Sequence, residues 1–257
     1  MLEGKVVIIT GGGSGIGEGI VKCCSSYGGT VIIADIDEKK GLKVEKDILN
    51  GGKKALYLKV DVASEKSVDK MVSEVNKRFG RIDVLVNNAG IAYFERPLEK
   101  TSSEIWDKTI NTDLKSVFLC IRAVLSIMKK QKSGSIINIA SNHIYSTIPN
   151  LSPYVAAKEG IIGLSRSLGL ELGKYGIRVN AICPGFIKTP MYETYLKKVK
   201  MPRDEADKHF ISLHPIGRLG KPEDIGNFVV FLGSDLSGFM TASYILVDGG
   251  VSAKLFD

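Results

Sequence analysis

The sequence has few cysteines and few histidines. Three histidines occur in 257 residues, and the cysteines stand at four positions, Cys23, Cys24, Cys120 and Cys183. Their spacing matches neither the paired ligands of a zinc site nor the cysteine density of a disulfide scaffold. We therefore predict no bound metal, and we interpret the cysteines as small buried apolar residues.

Long apolar runs are also missing. No stretch reaches the roughly 18 apolar residues of a membrane span, and the opening MLEGKVVIIT has only a short apolar run without a basic leader. These features predict a cytoplasmic protein with no membrane partner. Taken alone, the net charge of +7 favours a nucleic-acid partner. The basic residues, however, are dispersed among acidic ones, as in DEKKGLKVEKD. Dispersed charge is typical of solvated helix faces, so we expect no nucleic-acid partner.

Short apolar runs alternate with amphipathic segments along the chain. Continuous Val/Ile-rich runs are typical of strands buried on both faces of a parallel sheet. The segment 64–80 has the apolar spacing of an amphipathic helix. The alternation predicts an α/β fold, one domain over 1–257 whose doubly wound seven-stranded parallel sheet carries helices on both faces. The predicted strands are 5–10, 30–35, 54–60, 82–87, 135–140, 177–183 and 243–248.

One long segment interrupts this alternation. Residues 189–215 carry helix-like patches and many charges but no strand-like run. A long insertion in a compact domain is more often a binding element than an idle loop, so we predict a lid over the substrate. Four residues of the segment either cover the substrate or pack beneath a helix: Met191, Tyr192, Tyr195 and Leu196.

A glycine-rich turn, TGGGSGIG, follows the first predicted strand at 10–17. Glycine permits a tight turn and lets a phosphate approach the backbone amides at a helix N-terminus. The spacing of Gly11, Gly15 and Gly17 is T-G-x-x-x-G-x-G, which differs from the common G-x-G-x-x-G fingerprint. We predict a pyrophosphate-binding turn, with a purely structural turn as the alternative.

Asp35 ends the second predicted strand, eighteen residues after Gly17. A carboxylate there can accept hydrogen bonds from ribose hydroxyls, and it would repel the additional phosphate of NADP. The predicted cofactor is therefore NAD. The alternative is that Asp35 is only an acidic residue at the end of a strand, where a loop begins. The nearby Asp37, a candidate cap for the next helix, is consistent with that alternative.

Tyr154 and Lys158 stand four residues apart in a predicted helix, with Ser152 as its expected cap and Pro153 in its first turn. One helical turn places both side chains on the same face. Free tyrosine has a pKa of about 10, and a nearby cation favours its ionised form. This spacing predicts an acid/base pair.

These segments resemble the short-chain dehydrogenase/reductase (SDR) family over essentially the whole chain. The matching motifs occur in the family's order and spacing: TGGGSGIG at 10–17, DV at 61–62, NNAG at 87–90, Asn111 in WDKTINTDL, Ser141, YVAAK at 154–158 and PGFIKT at 184–189. The resemblance implies a Rossmann-like fold and an NAD(P)-dependent oxidoreductase acting on CH–OH groups. It also implies a homotetramer, joined partly through 221–235 and 242–250.

The resemblance implies a role for each matching residue. Ser141 is expected to hydrogen-bond the substrate oxygen, Tyr154 to give or take the proton, and Lys158 to favour ionised Tyr154 and hold the nicotinamide ribose. Asn111 is expected to position a water that links the lysine to solvent. The remaining roles concern the cofactor. Residues 61–62 are expected to border the adenine, and residues 88–90 to lie along the cofactor. Thr189 and the backbone after Pro184 are expected to hold the carboxamide. The expected cofactor contacts are Gly11, Gly15, Ile16, Gly17, Asp35, Asp61, Val62, Asn88, Ala89, Gly90, Tyr154, Lys158, Pro184, Gly185, Ile187 and Thr189.

The loop that follows Ser141 is the expected substrate wall. His143 either contacts a polar substrate, together with Ser141 and Tyr154, or is satisfied within its own loop. Tyr145 has no lysine one turn away, so we interpret it as pocket wall or packing. The predicted function is hydride transfer between NAD(H) and a secondary alcohol or ketone: a sugar, a polyol or a hydrophobic carbonyl. The alternatives are an NADP-dependent 3-oxoacyl thioester reductase and a non-catalytic NAD-binding regulatory protein.

Overall fold

A computed structural model describes residues 1–94 and 96–254. In this part of the chain, seven strands form one parallel sheet in the order β3-β2-β1-β4-β5-β6-β7. The predicted doubly wound, seven-stranded Rossmann-like sheet is confirmed, and each strand lies within its predicted run to within two residues at either end. The strands are β1 (Val6–Thr10), β2 (Thr30–Asp35), β3 (Ala55–Lys59), β4 (Val84–Asn87), β5 (Gly134–Ile139), β6 (Ile177–Pro184) and β7 (Tyr244–Val247).

Helices connect the strands and cover both faces of the sheet. They are α1 (Gly15–Ser26), α2 (Glu38–Asn50), α3 (Glu65–Phe79), α4 (Ser103–Ile110), α5 (Ser116–Gln131), α6 (Ser152–Leu172), α7 (Pro190–Val199), α8 (Arg203–Ser212) and α9 (Pro222–Gly233). A π-helical turn, Asn111–Lys115, joins α4 to α5. Within the described ranges, no helix has the combined length and apolar character needed to cross a membrane.

Successive residues of each strand enter different cores, because side chains alternate across a sheet. In β1, Ile8 joins a core with residues of α3, α5 and α6, whereas Ile9 joins a second core with residues of α1, α2 and α9. Both isoleucines are completely buried. Burial on both faces explains why the strands read as continuous apolar runs rather than alternating ones.

Helix ends follow local capping chemistry, with one departure from expectation. Ser64 caps α3 through the Ser67 N–H, and Asp37 caps α2 through the Lys40 N–H. The expectation that Ser152 caps α6 is wrong, because Ser152 is the first helical residue and Leu151 occupies the cap position without a side-chain hydrogen bond. Pro153 lies in the first turn as expected, where its missing N–H costs no helical hydrogen bond.

Helices α1 and α9 pack with their backbones close together. A Cβ at Gly19 would stand 2.3 Å from Pro222 Cβ, and one at Gly226 would stand 2.7 Å from Cys23 Sγ. Such separations are below van der Waals contact, so the two glycines are what permits this approach. The packing fixes the direction of α1, whose first turn faces the carboxyl ends of the strands.

The strand order reverses between β1 and β4, where connections leave in opposite directions and open a crevice at the carboxyl ends. Thr10, the last residue of β1, joins the two sides of this crevice. Its buried Oγ1 accepts hydrogen bonds from the N–H groups of Asn88 (3.0 Å) and Ala89 (3.1 Å). The glycine-rich turn and the NNAG segment are therefore held side by side.

Candidate active site

The crevice holds a cavity of about 1120 Å³, which extends from the glycine-rich turn to the Tyr154/Lys158 pair. This volume lies just above the usual range for small-molecule sites. Most of the predicted residues line it: Gly11, Gly15, Ile16, Asp35, Asp61, Val62, Asn88, Ala89, Gly90, Asn111, Ser141, His143, Tyr154, Lys158, Pro184, Gly185, Ile187 and Thr189. The fold thus brings together motifs separated by up to 178 positions in the sequence.

The glycine-rich turn forms a cradle without side chains. Gly11 and Gly15 have φ angles of +65° and +57°, in the left-handed region that favours glycine. A Cβ at Gly11 would lie 2.9 Å from the Ala89 Cα. Gly17 does not line the cavity; it lies behind the turn, where a Cβ would stand 1.9 Å from the Gly11 carbonyl oxygen. The exposed backbone at the start of α1 suits an anionic group.

Asp35 faces the cavity from the end of β2 and is held by two backbone groups. Its Oδ2 accepts the Gly13 N–H at 2.8 Å, and its Oδ1 accepts the Asp37 N–H at 2.9 Å. Each carboxylate oxygen has a second lone pair that can accept a ribose hydroxyl. The side chain is thus positioned by the glycine-rich turn itself, and this arrangement fits the adenosine half of a dinucleotide.

Asn88 supports the turn as well as lining the cavity. Its Nδ2 donates to the carbonyl oxygens of Thr10 (3.0 Å) and Gly11 (3.2 Å). Across the crevice, Asp61 Oδ1 accepts the Ala63 N–H at 3.0 Å, and Val62 is buried beside it. The cofactor end of the cavity is therefore formed largely by backbone groups.

The segment after β6 crosses the cavity beside the glycine-rich turn. A Cβ at Gly185 would lie 2.8 Å from the Asp248 Cβ, so the chain packs closely against the start of the C-terminal turn. Thr189 caps α7 by accepting the Tyr192 N–H at 3.3 Å, and its side chain lies next to Gly15. Pro184 and Ile187 complete this wall.

Ser141, Tyr154 and Lys158 meet at the other end of the cavity. Ser141 follows β5, is buried, and accepts the His143 N–H at 3.3 Å through its Oγ, so its own hydroxyl can donate. The Nζ of Lys158 lies 5.4 Å from the centre of the Tyr154 ring and donates to the Ile139 carbonyl at 3.1 Å. The expected serine, tyrosine and lysine therefore border one space.

His143 is hydrogen-bonded within its own loop and also lines the cavity, so its contact with a polar substrate stays a prediction. Its Nδ1 hydrogen-bonds Thr147 Oγ1 at 3.1 Å within the loop, while the ring lines the cavity and meets the Tyr154 ring edge to face at 6.0 Å. Burial lowers the pKa of His143, which favours a neutral imidazole at pH 7. Tyr145 lies outside the cavity lining, is half exposed, and contacts the Tyr244 ring, so it is packing rather than pocket wall.

Asp113, which is not among the predicted site residues, approaches Lys158 from the π-helical turn. Its Oδ2 lies 3.7 Å from Lys158 Nζ. Asn111, the residue expected to act through this lysine, lines the cavity two positions earlier. A signal for Asp113 was present, because Val117, Cys120 and Val124 continue from it at helical spacing and all are buried. A carboxylate that begins an apolar stripe is a candidate buried charge.

The substrate end is closed by aromatic and apolar side chains. Phe94 and Tyr195 line the cavity and meet edge to face at 5.1 Å, and Met191 and Ile148 lie along the same wall. Tyr192 lines it too, although it is buried in a small core formed by α7 and α8. Leu196 belongs to that core and does not line the cavity. Packing is therefore observed for Tyr192 and Leu196, whereas covering of the substrate by Met191, Tyr192 and Tyr195 stays a prediction.

The described residues contain no group of three or more His, Cys, Asp or Glu side chains placed to hold a metal ion. The four cysteines are buried, as predicted. Burial raises the pKa of Cys183, behind Ser141, to about 12, so its thiol is uncharged at neutral pH. The acid/base groups at this end are the hydroxyl of Ser141, the phenol of Tyr154, the ammonium of Lys158, the carboxyl of Asp113 and the imidazole of His143.

The sheet order, the glycine cradle and the serine, tyrosine and lysine define a nicotinamide-dependent oxidoreductase. A family model described as enoyl-(acyl carrier protein) reductase matches residues 11–252. The (2S)-[(R)-hydroxy(phenyl)methyl]succinyl-CoA dehydrogenase subunit BbsD of Thauera aromatica is 40% identical, over 98% of each chain. Levodione reductase of Leifsonia aquatica is 39% identical, over 97% of this chain and 94% of its own.

A crystal structure of levodione reductase superposes with a TM-score of 0.94 at 37% identity, covering 98% of this chain and 99% of that one. The chain therefore belongs to the short-chain dehydrogenase/reductase family, as the motifs predict. It is an oxidoreductase acting on CH–OH groups with a nicotinamide cofactor, NAD or NADP. The alternative of a non-catalytic regulatory protein is set aside.

Proposed function

We propose that this protein transfers a hydride between NAD(H) and a secondary alcohol or ketone. The observation that carries the proposal is the single cavity that has Asp35 at one end and Ser141, Tyr154 and Lys158 at the other. A dinucleotide laid along this cavity would bring its nicotinamide to the reactive end. A sugar, a polyol and a hydrophobic carbonyl remain candidate substrates, and the apolar wall of Phe94, Ile148 and Met191 favours the last of these.

The cofactor would be held mainly by backbone. The cradle at Gly11, Gly15 and Ile16 would take the pyrophosphate, residues 61–62 would border the adenine, and residues 88–90 would lie along the cofactor. Lys158 would hold the nicotinamide ribose, and the wall from Pro184 to Thr189 would hold the carboxamide. When bound, the nicotinamide supplies or accepts the hydride.

The chain's own residues manage the oxygen and its proton. In ketone reduction, charge grows on the carbonyl oxygen, and hydroxyl donors from Ser141 and Tyr154 would stabilise it. Tyr154 would then give its proton to that oxygen, and in alcohol oxidation it would take the proton back. The Lys158 ammonium, buried beside the phenol ring, favours the ionised tyrosine that oxidation requires.

Asp35 supports NAD rather than NADP. Its carboxylate is fixed toward the cavity by the N–H groups of Gly13 and Asp37, so it would repel a 2′-phosphate placed at the same ribose. The alternative function, an NADP-dependent 3-oxoacyl thioester reductase, receives some support from the acyl-carrier family description and from the CoA-dependent relative. It predicts greater activity with NADPH than with NADH.

We further propose a cytoplasmic homotetramer. Most of the apolar face of α9, including Ile225, Val229 and Leu232, is buried against its own sheet. The segment that follows exposes Leu236, Phe239 and Tyr244, which supports an interface at this side. Light scattering of the purified protein tests the tetramer, and a monomeric mass would contradict it.

The central test is Tyr154→Phe, assayed with a panel of sugars, polyols and cyclic or acyclic ketones. Loss of the phenol should lower turnover by roughly 10² to 10⁴, the usual contribution of general acid/base catalysis. NADH affinity, measured by cofactor fluorescence, should change little. Tyr145→Phe is the matched control, because Tyr145 lies in the same stretch but outside the cavity, and it should retain activity. Undiminished turnover by the Tyr154 variant would refute the mechanism.

A further inference from the structure

His143 has one ring nitrogen that its own loop does not use. Its Nδ1 lies 3.1 Å from Thr147 Oγ1. Its Nε2 has no hydrogen-bond partner among residues 1–94 and 96–254. The Nε2 of His214 is unpartnered too, but it is sealed from solvent, whereas the His143 ring lines the cavity. The second nitrogen of His143 is therefore available to a molecule bound in the cavity.

The Thr147 hydroxyl determines which nitrogen of His143 carries the proton. Its Oγ1 donates to the Ile148 carbonyl oxygen at 3.4 Å, and a hydroxyl has a single hydrogen to donate. Thr147 Oγ1 can therefore only accept from His143, so Nδ1 is the protonated nitrogen. Burial lowers the pKa of His143 and favours the neutral ring, in which the other nitrogen is an acceptor. The ring thus offers a lone pair, and no N–H, at Nε2.

This imidazole stands beside the groups that would hold the reacting oxygen. The His143 N–H donates to Ser141 Oγ at 3.3 Å, which ties the start of the loop to the serine. The His143 and Tyr154 rings meet edge to face, with their centres 6.0 Å apart. Because the two rings are in contact, a substrate oxygen bound by His143 would lie near the oxygen held by Ser141 and Tyr154.

The lone pair of Nε2 faces a substrate space with apolar walls. Phe94, Ile148 and Met191 line the same end of the cavity, and their side chains have no hydrogen-bond donor. A bound substrate would displace water from Nε2. A substrate without a donor would leave the nitrogen unsatisfied, at a cost of roughly ten- to a hundredfold in affinity. A substrate hydroxyl would replace the water and satisfy it.

We propose that His143, with its acceptor nitrogen fixed by Thr147, selects substrates that carry a second hydroxyl group on a carbon next to the reacting one. These are vicinal diols in the oxidative direction and the corresponding hydroxyketones in the reductive direction. The selection rests on the proposed function for the reaction at the first oxygen. There, the carbinol C–H gives its hydride to NAD⁺ and the O–H gives its proton to Tyr154, forming the C=O bond. The second hydroxyl donates to His143 and is not oxidised.

The direction of this hydrogen bond separates the candidate substrates. A carbonyl or carboxylate at the second position has lone pairs only, so it cannot pair with the lone pair of Nε2. A 3-oxoacyl thioester has a second carbonyl and no hydroxyl, so it is disfavoured on the same ground. The hydrocarbon part of a vicinal diol can still pack on Phe94 and Met191, which agrees with the apolar wall.

The first test compares substrates that differ only in the second hydroxyl. The kcat/KM with NAD⁺ is measured for the cis and trans isomers of cyclohexane-1,2-diol and for cyclohexanol. In the wild type, the better diol should exceed cyclohexanol by about tenfold or more. In His143→Phe, which keeps a planar ring without an acceptor, this ratio should fall to near one. His143→Gln, whose carboxamide oxygen can accept near the position of Nε2, should restore part of the ratio.

Thr147→Val tests the positioning role of the threonine. Without the hydroxyl, either nitrogen of His143 can carry the proton, so the ratio of diol to cyclohexanol should fall severalfold. A merely structural loss would lower both kcat/KM values together and leave their ratio unchanged. His209→Phe is the matched control, because His209 is exposed on α8 outside the cavity lining, and it should show the wild-type ratio. A wild type without preference for either diol, or an unchanged ratio in His143→Phe, would overturn the inference.

A measurement without turnover separates this inference from the proposed function. The chain has three histidines, so NMR of protein with isotope-labelled histidine can resolve each ring, and His143→Gln assigns its signals. With NADH bound, we expect a protonated Nδ1 and a lone pair at Nε2, whose chemical shift changes on addition of the diol but not of cyclohexanol. A protonated Nε2, or equal responses to both compounds, would overturn the inference whether or not alcohols are oxidised. Absence of turnover with every alcohol would instead contradict the proposed function.

Discussion

The two ends of the cavity are built differently. The cofactor end consists of strand ends, a glycine turn and backbone hydrogen bonds, with Thr10 and Asn88 joining β1 to β4. The substrate end consists of side chains, such as Phe94 and Met191, that reach the cavity from a loop and from α7. A backbone surface accepts one ligand and tolerates little change, whereas a side-chain surface can be altered without moving the fold. We therefore expect substitutions at the cofactor end to weaken ligand binding more than substitutions in the side-chain wall at the substrate end.

Apart from the loss of the phenol in Tyr154→Phe, the largest effect is expected for Gly17→Ala at the cofactor end. The new Cβ would stand 1.9 Å from the Gly11 carbonyl oxygen and 2.7 Å from Asn88 Nδ2, so the cradle must move. Overpacking of this kind should weaken NADH binding by roughly ten- to a hundredfold. Calorimetry or cofactor fluorescence measures it. Gly163→Ala, on an open face of α6 where a Cβ meets nothing within 4 Å, should bind NADH normally.

Asp35→Asn should reduce the preference for NADH over NADPH. The amide preserves shape but removes the charge that opposes a 2′-phosphate, so the ratio of kcat/KM values should fall by about tenfold. Asp37→Asn is the control, because Asp37 caps α2 outside the cavity lining and asparagine caps equally well. A wild-type enzyme that prefers NADPH would contradict the role given to Asp35.

Met191→Ala should affect substrate and not cofactor. Met191 lines the cavity from α7 and is partly exposed, so truncation removes only part of a side chain's apolar contact. The KM for a hydrophobic ketone should rise roughly fivefold while the KM for NADH stays constant. Leu42→Ala, at an exposed position of α2, should change neither. A larger change in the KM for NADH than for ketone would break the division between the two ends.

The smallest effect is expected for His143→Gln and concerns stability against pH. Because burial lowers the folded-state pKa of His143 below the ordinary value of 6.5 for a histidine, the unfolded chain binds the proton more readily. Its contribution is therefore present above that pH and is lost as the pH falls. The wild-type Tm should decline more than that of His143→Gln between about pH 8 and pH 5. Parallel declines would show that His143 titrates normally.

The sequence predicts the cofactor end well because its determinants are local. The turn between β1 and α1 and the end of β2 each depend on a few neighbouring residues. The one-turn spacing of Tyr154 and Lys158, at the other end of the cavity, is local in the same way. The strands are predicted equally well, because strands buried on both faces of a sheet consist of continuous apolar residues.

What the sequence does not predict depends on distant parts of the chain. Phe94 meets Tyr195 only through the tertiary fold. The helical spacing of Val117, Cys120 and Val124 marks Asp113 as a candidate buried charge, but it does not identify Lys158 of α6 as its partner. Whether residues 189–215 move as a lid stays a prediction, although they do form α7 and α8 beside the cavity.

The close packing of α1 on α9 has a consequence for biosynthesis. The helix that would receive the pyrophosphate is supported by residues some two hundred positions later, at Pro222 and Gly226. Until those residues leave the ribosome, Ile20 and Cys24 of α1 lack the α9 residues of the core that they share. The nascent chain should therefore acquire nucleotide affinity only near the end of translation, so cofactor binding would report a completed polypeptide.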